Sequence, residues 1–540
     1  MTADGRPLTT DEGARGRTLI PGTWNLAPHT AVGGRWSAVV LIAFALRLRG
    51  LFANTFHADE ALFASWARLI AVWRDPLLLT QPVDKPPLLF YSQALFYPLF
   101  GPVEWAARLP SLLASLLLIP LTARLAWRLG GDRLAAFIAA AVVAVAPLAV
   151  QFSATAFSDP LLTLWLTAAL ALVVPSPLGR GLGRGAARPG WAGLCLGLAL
   201  ATKYQAALFL PLVIGLAWLS GWRAREWARA LAGLAVVLAV VALWAAARAD
   251  GAGLVARQWA NVGGLRLAWS WELGPRLAEQ GRLWWLGLGG PLLALGGVAL
   301  AGVAVSRRAR ARLGAADGLL ALFVLAYALL HWLWAVPAWD RYLLPVLPIV
   351  AALLGRGVEA VVGLKKKETT DYTDFTDFQN PKSVESVKSV VHSLLGPAIT
   401  GLLIVVVVLH LPVAANARTG RYPLGGQPAA DGGAARVARA LADAPYGTVL
   451  YDHWYSWHWR YQLFDGRVYV SWFPHTDALL ADLAAFGGSG PARYVALPRD
   501  GSAAPVQRRL GEAGYRLVAV PGPAEAAMGL WRIESEATDE

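Results

Sequence analysis

Charged residues are scarce in this chain of 540 residues, because Asp, Glu, Lys and Arg together make up only 15%. A soluble globular protein carries about 25% charged residues. Hydrophobic residues reach 56%, and many apolar runs attain the ~18 residues that are needed to cross the hydrocarbon of a membrane. The composition therefore excludes a soluble domain with a large core and predicts a membrane protein with many spans.

Cysteine is nearly absent as well. The single cysteine, Cys195, lies inside an apolar run. One thiol cannot form an internal disulfide, and it is too few for a thiolate metal site. We therefore interpret Cys195 as a small packing residue.

Acidic residues are outnumbered by basic ones, 35 to 48, which gives a formal net charge of +13. Nucleic-acid binding is one interpretation of such an excess. However, most of the Arg and Lys residues flank apolar runs, as do the residues that orient membrane helices. We therefore expect this chain to contact membrane lipids and no nucleic acid.

The apolar runs predict a mainly α fold, a polytopic membrane bundle of about eleven spans. A cytoplasmic tail at 1–35 precedes a membrane core at 36–364, which includes a long outer loop at 54–104. Residues 191–219 could form one long helix, but Lys203 in its middle favours two short ones. The spans are expected at 36–53, 107–127, 133–150, 159–175, 190–203, 204–220, 227–247, 282–305, 317–337, 341–363 and 394–414.

The positive-inside rule supports this count. With the N-terminus in the cytoplasm, Arg and Lys cluster in the cytoplasmic turns, whereas the outer turns near 151–158 and 338–340 carry neither. Ionisable residues that converge on one membrane face indicate a site, although loop residues are often merely polar. The residues placed at the outer face are Asp59, Glu60, Asp84, Lys85, Asp159, Lys203, Asp340 and Arg341.

Residues 415–540 differ from the rest, because short strand-like runs alternate with helical stretches. This pattern predicts a small extracytoplasmic α/β domain. His453 and His458 are five residues apart, off one helical face, so we expect no metal site there; the neighbouring tryptophans could contact sugar or peptide. Strands are expected near 449–451, 468–470, 494–497, 517–520 and 529–533, and helices near 431–443, 476–486 and 503–514.

Two motifs in the first outer loop carry a family resemblance. Phe56-His-Ala-Asp-Glu-Ala61, followed by Asp84-Lys-Pro-Pro-Leu88, resembles this loop in GT-C glycosyltransferases of family 39. The most similar groups are the protein O-mannosyltransferases and the aminoarabinose transferases of lipid A, although the latter more often have Glu where this chain has Asp84. Ser158-Asp-Pro160, Thr202-Lys-Tyr204 and Arg341-Tyr-Leu-Leu-Pro345 also resemble motifs of these groups.

The resemblance implies a hexosyl- or pentosyltransferase with a polyprenyl-phosphate sugar donor. The acceptor hydroxyl must lose a proton as it attacks the anomeric carbon, so a carboxylate is the natural general base. We assign that role to Asp59, with inversion at the anomeric carbon. Glu60 could orient the acceptor or tune Asp59 through like-charge coupling. The leaving phosphate needs cations, and the candidates are Lys85, Arg341 and Lys203.

Asp84 and Asp159 are supporting or metal-binding candidates. Together with Asp59 and Glu60 they offer hard oxygen ligands that suit a divalent cation, Mg²⁺ or Mn²⁺, and His57 could join a zinc site. Simpler roles are open for some of these residues. Asp159 could only cap a helix.

A lipid-linked sugar flippase is the alternative function. A transporter is expected to hold ionisable residues near the bilayer midplane, between repeated halves with broken helices. Here these residues gather at one face and no internal repeat is seen, which favours the enzyme. A non-catalytic scaffold with the same fold is a third reading. Protein, lipid A and cell-wall glycan are all compatible acceptors in the cell envelope.

Residues 365–393 look like an insertion in a cytoplasmic loop. Thr370-Asp-Tyr-Thr-Asp-Phe-Thr-Asp-Phe378 and Lys382-Ser-Val-Glu-Ser-Val-Lys-Ser-Val390 are triplet repeats. Codons for Thr-Asp-Phe, reverse-complemented and shifted by one base, encode Lys-Ser-Val, so the segment reads as a translated inverted-repeat DNA element. Its high polarity predicts disorder; a regulatory or docking segment is the alternative.

Deletion of residues 368–391 should leave sugar transfer unchanged, because a translated repeat element has no part in the site. Transfer by membranes that contain the deleted and the full-length protein, compared at equal protein levels, checks this expectation. Loss of transfer with normal membrane insertion would show that the segment is functional.

Overall fold

The fold is taken from a computed structural model, and the last membrane span and the insertion at 365–393 lie largely outside the part of the chain that it describes. The same holds for the tail at 1–29. The described residues are 30–130, 132–175, 188–248, 253–262, 266–336, 339–362, 405–406, 408–425, 429–486, 491–521 and 527–535.

As far as Val362, the described part of the chain consists of α-helices and the loops that connect them. It also contains two 3₁₀ helices, Tyr204–Phe209 and Asp340–Val346. The α-helices are α1 (Thr30–Ala53), α2 (Ala58–Ala71), α3 (Leu88–Ala94), α4 (Tyr97–Phe100), α5 (Glu104–Gly130), α6 (Arg133–Val145), α7 (Pro147–Ser153), α8 (Asp159–Val173), α9 (Pro189–Thr202), α10 (Leu210–Leu219), α11 (Ala224–Ala247), α12 (Leu254–Val262), α13 (Ser270–Leu288), α14 (Gly290–Val305), α15 (Arg307–Arg312), α16 (Ala315–Leu333) and α17 (Leu347–Val362).

Among the described residues, 5 helices are long and apolar enough to cross a membrane, or up to 7 if each bent pair counts as one span. The bent pairs are α6 with α7, at 56°, and α13 with α14, at 100°. Shorter apolar helices, including α8 and α9, lie where further spans are expected. The five long segments are Trp36–Ala53, Glu104–Gly130, Ala224–Ala247, Ala315–Leu333 and Asp340–Val362.

The span expected at 282–305 is not one straight helix, because α13 and α14 meet at a bend of 100°. The chain turns sharply at Gly289, whose φ of 84° favours glycine, and α14 begins directly after it. The apolar run conceals the break because Gly289, Gly290 and Pro291 do not interrupt its hydrophobicity. The expected division at Lys203 agrees with the structure, since α9 ends at Thr202 and a 3₁₀ helix follows.

Close contact between α9 and α11 depends on glycine. A Cβ atom on Gly193 would lie 1.8 Å from the carbonyl oxygen of Ala230, and one on Gly233 would lie 2.1 Å from that of Gly190. Small residues let helix backbones approach closely in membranes, where packing contributes much of the association energy. Helix α9 also packs against α8, which presents Asp159 at its first turn.

The C-terminal residues form a five-stranded sheet, which confirms the expected α/β domain. Strand β1 pairs in parallel with β2 and β3, whereas β5 runs antiparallel to β3 and β4, in the order β2-β1-β3-β5-β4. Helices cover both faces of the sheet. The elements are α18 (Ala434–Ala440), β1 (Thr448–Asp452), α19 (Ser456–Gln462), β2 (Val468–Trp472), α20 (Thr476–Phe486), β3 (Arg493–Pro498), α21 (Ala504–Glu512), β4 (Tyr515–Ala519) and β5 (Met528–Ser535).

Helix α19, which the sequence pattern does not predict, joins this domain to the membrane part. It packs against α2 in the first loop. Tyr461 of α19 is buried, and its hydroxyl donates to the carbonyl of Pro102 at 2.6 Å. The Arg68 guanidinium of α2 in turn donates to the carbonyl of Tyr461 at 3.1 Å. The two parts of the chain therefore meet at α2, the helix whose first turn carries the first motif.

The variant Gly193→Ala should lower the thermal unfolding midpoint in detergent, because its new methyl group overlaps the backbone of α11. Overpacking of this kind costs about 1–3 kcal/mol. Gly297→Ala is the matched control, since a Cβ there has no heavy atom within 4 Å and the change favours helix by up to ~1 kcal/mol. Equal midpoints for the two variants would contradict the proposed close packing.

Candidate active site

Helix α2 begins with a capping box that fixes the direction of its two carboxylates. The Nδ1 atom of His57 accepts from the backbone amide of Asp59 at 3.2 Å, and the Glu60 carboxylate accepts from the amide of His57 at 2.9 Å. Such reciprocal bonds satisfy amides that the first turn of a helix leaves unpaired. The order of residues in the motif thus sets the first turn.

Glu60 lies in the interior of the protein, with none of its surface exposed. Its Oε1 accepts from the Arg108 Nε at 3.2 Å and from the Ala156 amide at 2.6 Å. Arg108 is equally buried and also donates to the carbonyl of Asn54 at 2.6 Å. A buried pair needs such additional hydrogen bonds to offset its desolvation. This position differs from the expectation that Glu60 orients the acceptor, because an acceptor cannot reach it.

Asp59 points away from Glu60 and remains accessible, with 39% of its side-chain surface exposed. Its Oδ2 accepts from Arg341 Nη2 at 2.8 Å, across 282 residues of sequence. The guanidinium of Arg341 lies 4.5 Å from the ring of Phe157, on the segment that also binds Glu60. The arginine is thus held beside the candidate base. Asp340, by contrast, accepts from the backbone amide of Arg341 rather than from its guanidinium.

A second ion pair lies next to the first. Lys203 Nζ donates to Asp159 Oδ1 at 2.6 Å, and the same ammonium lies 4.4 Å from the centre of the Tyr342 ring. Asp159 is buried, whereas 20% of the Lys203 side chain is exposed. Both Asp59 and Arg341 are close enough to act electrostatically on Lys203. The two carboxylates, Asp59 and Asp159, and the two cations, Arg341 and Lys203, therefore form one charge cluster.

Lys85 belongs to a third group, which lies within the first loop. Its Nζ donates to Asp84 Oδ2 at 2.6 Å and to Gln258 Oε1 of α12 at 3.0 Å. One third of the Lys85 side chain is exposed. The carboxylate of Asp84 acts electrostatically on Tyr204, which follows Lys203 in the chain. The Lys85 group therefore lies within electrostatic range of the residue next to Lys203.

Arg108, Gln258 and Tyr342 contribute to this region but are not among the residues predicted from the sequence. A charged residue within an expected span is a functional signal, so Arg108 could have been identified. No comparable signal marks Gln258, because its role depends on how α12 packs over the first loop.

Metal ligation is not favoured by these groups. Asp84 and Asp159 each already accept from a lysine ammonium, whereas a divalent cation prefers uncompensated carboxylates. Within the described ranges, no set of three or more His, Cys, Asp and Glu side chains is placed to hold a metal ion. The possible Mg²⁺ or Mn²⁺ site therefore finds no support in the donor set of the described residues.

Comparison with known families gives one match. Residues 84–246 match the family model described as dolichyl-phosphate-mannose-protein mannosyltransferase. The matched segment covers less than a third of the chain, and it includes Lys85, Asp159 and Lys203 but neither Asp59 nor Arg341. No curated protein sequence matches the chain.

Solved structures match most of the chain. The ArnT protein of Cupriavidus metallidurans, bound to undecaprenyl phosphate, is 17% identical, with a TM-score of 0.62 over 94% of this chain and 98% of that one. The oligosaccharyltransferase of Archaeoglobus fulgidus is 12% identical, with a TM-score of 0.53 over 96% of this chain and 75% of that one. The oligosaccharyltransferase AglB from Archaeoglobus fulgidus, in complex with an inhibitory peptide and a dolichol-phosphate, is 13% identical, with a TM-score of 0.50 over 94% of this chain and 74% of that one.

These matches confirm the resemblance that the loop motifs carry. The chain has the GT-C fold of a multi-pass membrane protein, with a C-terminal domain that contains a small sheet. At these identities the structures establish the fold, so the activity has to be argued from the site.

The variant Arg108→Met should destabilise the protein by about 3–5 kcal/mol, because it leaves the buried charge of Glu60 without its partner. Unfolding in a sodium dodecyl sulfate titration measures the change. Arg282→Met removes a pair in which both side chains are nearly half exposed, so it should cost at most ~1 kcal/mol. Similar losses of unfolding free energy for both variants would show that the buried pair stabilises the protein no more than an exposed one.

Proposed function

We propose that this protein is an integral-membrane glycosyltransferase. It transfers a sugar from a polyprenyl-phosphate donor to an extracytoplasmic hydroxyl acceptor, with Asp59 as general base. The observation that carries the proposal is the charge cluster at one end of the helical bundle, in which an accessible carboxylate lies beside Arg341 and Lys203. The ArnT structure contains undecaprenyl phosphate and the AglB structure contains a dolichol-phosphate, which supports a lipid-phosphate donor.

The reaction assigns one role to each side of the cluster. The acceptor hydroxyl gives its proton to the carboxylate of Asp59 while its oxygen forms a bond to the anomeric carbon. The bond between that carbon and the phosphate oxygen breaks, and the lipid phosphate leaves with the electron pair. Direct displacement by the hydroxyl inverts the configuration of the anomeric carbon.

Cations take up the charge that develops on the leaving phosphate. Arg341 can bind two phosphate oxygens, and it is already held 2.8 Å from Asp59. Lys203 and Lys85 lie nearby, and their side chains are partly exposed. In the free protein, carboxylates neutralise these cations. A donor phosphate would replace the carboxylate contacts of Lys85 and Arg341, which would free Asp59 to receive the proton.

Glu60 acts on the base through position rather than through the acceptor. Its four hydrogen bonds, to the His57 and Ala156 amides and to two nitrogens of Arg108, hold the first turn of α2. The first turn of α2, which carries Asp59, is therefore held in place by the buried side chain of Glu60.

The orientation follows from the charged turns of the sequence. The N-terminus is cytoplasmic in this proposal, and the charge cluster and the C-terminal domain lie outside the cytoplasm, in the cell (inner) membrane. The lipid donor and an acceptor on protein, lipid A or cell-wall glycan would then meet at the outer face.

Replacement of Asp59 by Asn should lower the rate of transfer by about 10²–10⁴-fold, because the amide has the same shape but cannot accept a proton. Purified protein is offered labelled lipid-linked sugars extracted from the source cells, with membranes as acceptor, and the new glycosidic product is measured. Glu279→Gln, at an exposed carboxylate of α13, is the matched control.

Full transfer by Asp59→Asn would remove Asp59 as the base. Movement of the labelled lipid across vesicles without a new glycosidic bond, in wild-type protein, would favour the flippase instead.

A further inference from the structure

We propose that the C-terminal domain positions the catalytic base, and that His458 is the positioning residue. Its Nε2 donates to the backbone carbonyl of Phe56 at 3.1 Å, across 402 residues of sequence. Phe56 lies directly before His57, the N-cap of the helix that carries Asp59. The proposal rests on the role that the proposed function gives to Asp59.

The segment before the base has a donor for each of its backbone carbonyls. Arg108 donates to the carbonyls of Asn54 at 2.6 Å and Thr55 at 3.0 Å, and the Ala61 amide donates to that of His57 at 2.9 Å. His458 supplies the donor for the carbonyl of Phe56. Three of these four bonds arise within the membrane part, whereas the fourth comes from the C-terminal domain.

The chemical state of His458 suits this role. The residue is buried, with 5% of its surface exposed, and burial lowers the pKa of its imidazole. The ring is thus neutral and has one N–H, which the contact with Phe56 places on Nε2. Its Nδ1 atom is buried and has no hydrogen-bond partner among the described residues. Asp431 and Asp452 act on the ring to raise the pKa, and His57 to lower it.

Helix α19 is held firmly enough to transmit position. The ring of Tyr461 packs edge-to-face on that of Phe56, with 4.9 Å between ring centres, and its hydroxyl binds the carbonyl of Pro102. Arg68 of α2 lies 4.1 Å from the ring centre of Phe464, just beyond α19. These contacts lie directly after His458 in sequence and hold α19 against α2 and the first loop.

Position matters here because a base must lie within hydrogen-bond reach of the proton that it abstracts. A displacement of ~1 Å at a catalytic group can cost up to 10²-fold in rate. The hydrogen bond of His458 goes to the backbone carbonyl of Phe56, so the residue acts on Asp59 through the backbone.

The test uses the purified full-length protein in nanodiscs and three variants. His458→Leu removes the donor, His458→Gln supplies a side-chain N–H in its place, and His453→Leu removes a histidine bond to the carbonyl of Phe473 within the same domain. Hydrogen–deuterium exchange of the peptide 54–62 reports the position of the first turn. The initial rate of transfer from tritiated mannosyl undecaprenyl phosphate reports catalysis.

We expect His458→Leu to increase exchange in the peptide 54–62 and to lower kcat by about 5–10-fold, the effect of one hydrogen bond, with KM for the donor unchanged. His458→Gln should restore both values to within about twofold of wild type, and His453→Leu should change neither. Unchanged exchange at 54–62 in His458→Leu, or no rescue by His458→Gln, would overturn the proposal.

The two readouts separate this inference from the proposed function. If wild-type protein transfers no mannose, the exchange of the peptide 54–62 still decides whether His458 holds the first turn of α2. If wild-type protein transfers mannose and His458→Leu transfers it at the same kcat, the proposed function stands and the positioning role is wrong.

Discussion

The buried pair of Glu60 and Arg108 is the constraint on which the site depends. Both side chains are fully buried, and a charge removed from water is stable only when its partner and its remaining hydrogen bonds are in place. These bonds go to the backbone of the segment before α2 and to the segment after α7. The pair thus connects three parts of the chain. Asp59 follows the first of these segments, and Arg341 packs on Phe157 of the last, so the position of both residues depends on the pair.

Much of this arrangement follows from the sequence, and the rest depends on contacts that only the fold creates. Apolar length locates the helices, and alternation locates the five strands within a few residues. The break at Gly289 is hidden because hydropathy does not register backbone conformation. Helix α19 is missed because seven residues are too few for a clear period. The partner of Glu60 is 48 residues away, a distance that no local pattern spans.

The contact between the C-terminal domain and the first loop has a structural role. A loop that carries a base needs its backbone carbonyls satisfied, because an unpaired polar group costs free energy when it is buried. The membrane part supplies donors from Arg108 but leaves the carbonyl of Phe56 to His458 of α19. The domain thus completes the hydrogen bonding of the loop, which a separate binding module on a linker would not do.

Helix geometry explains why two adjacent carboxylates have different environments. Neighbouring side chains on an α-helix are about 100° apart, so Asp59 and Glu60 point in different directions from the first turn. Glu60 and the residues after it as far as Ala67 are all buried, whereas Asp59, near the start of α2, keeps 39% of its side chain exposed. The capping box determines that Glu60 is the buried carboxylate, because the side chain of the third residue after the N-cap bends back to the backbone. The motif His57-Ala-Asp-Glu60 therefore specifies a buried carboxylate and an accessible one, the proposed base, within one turn.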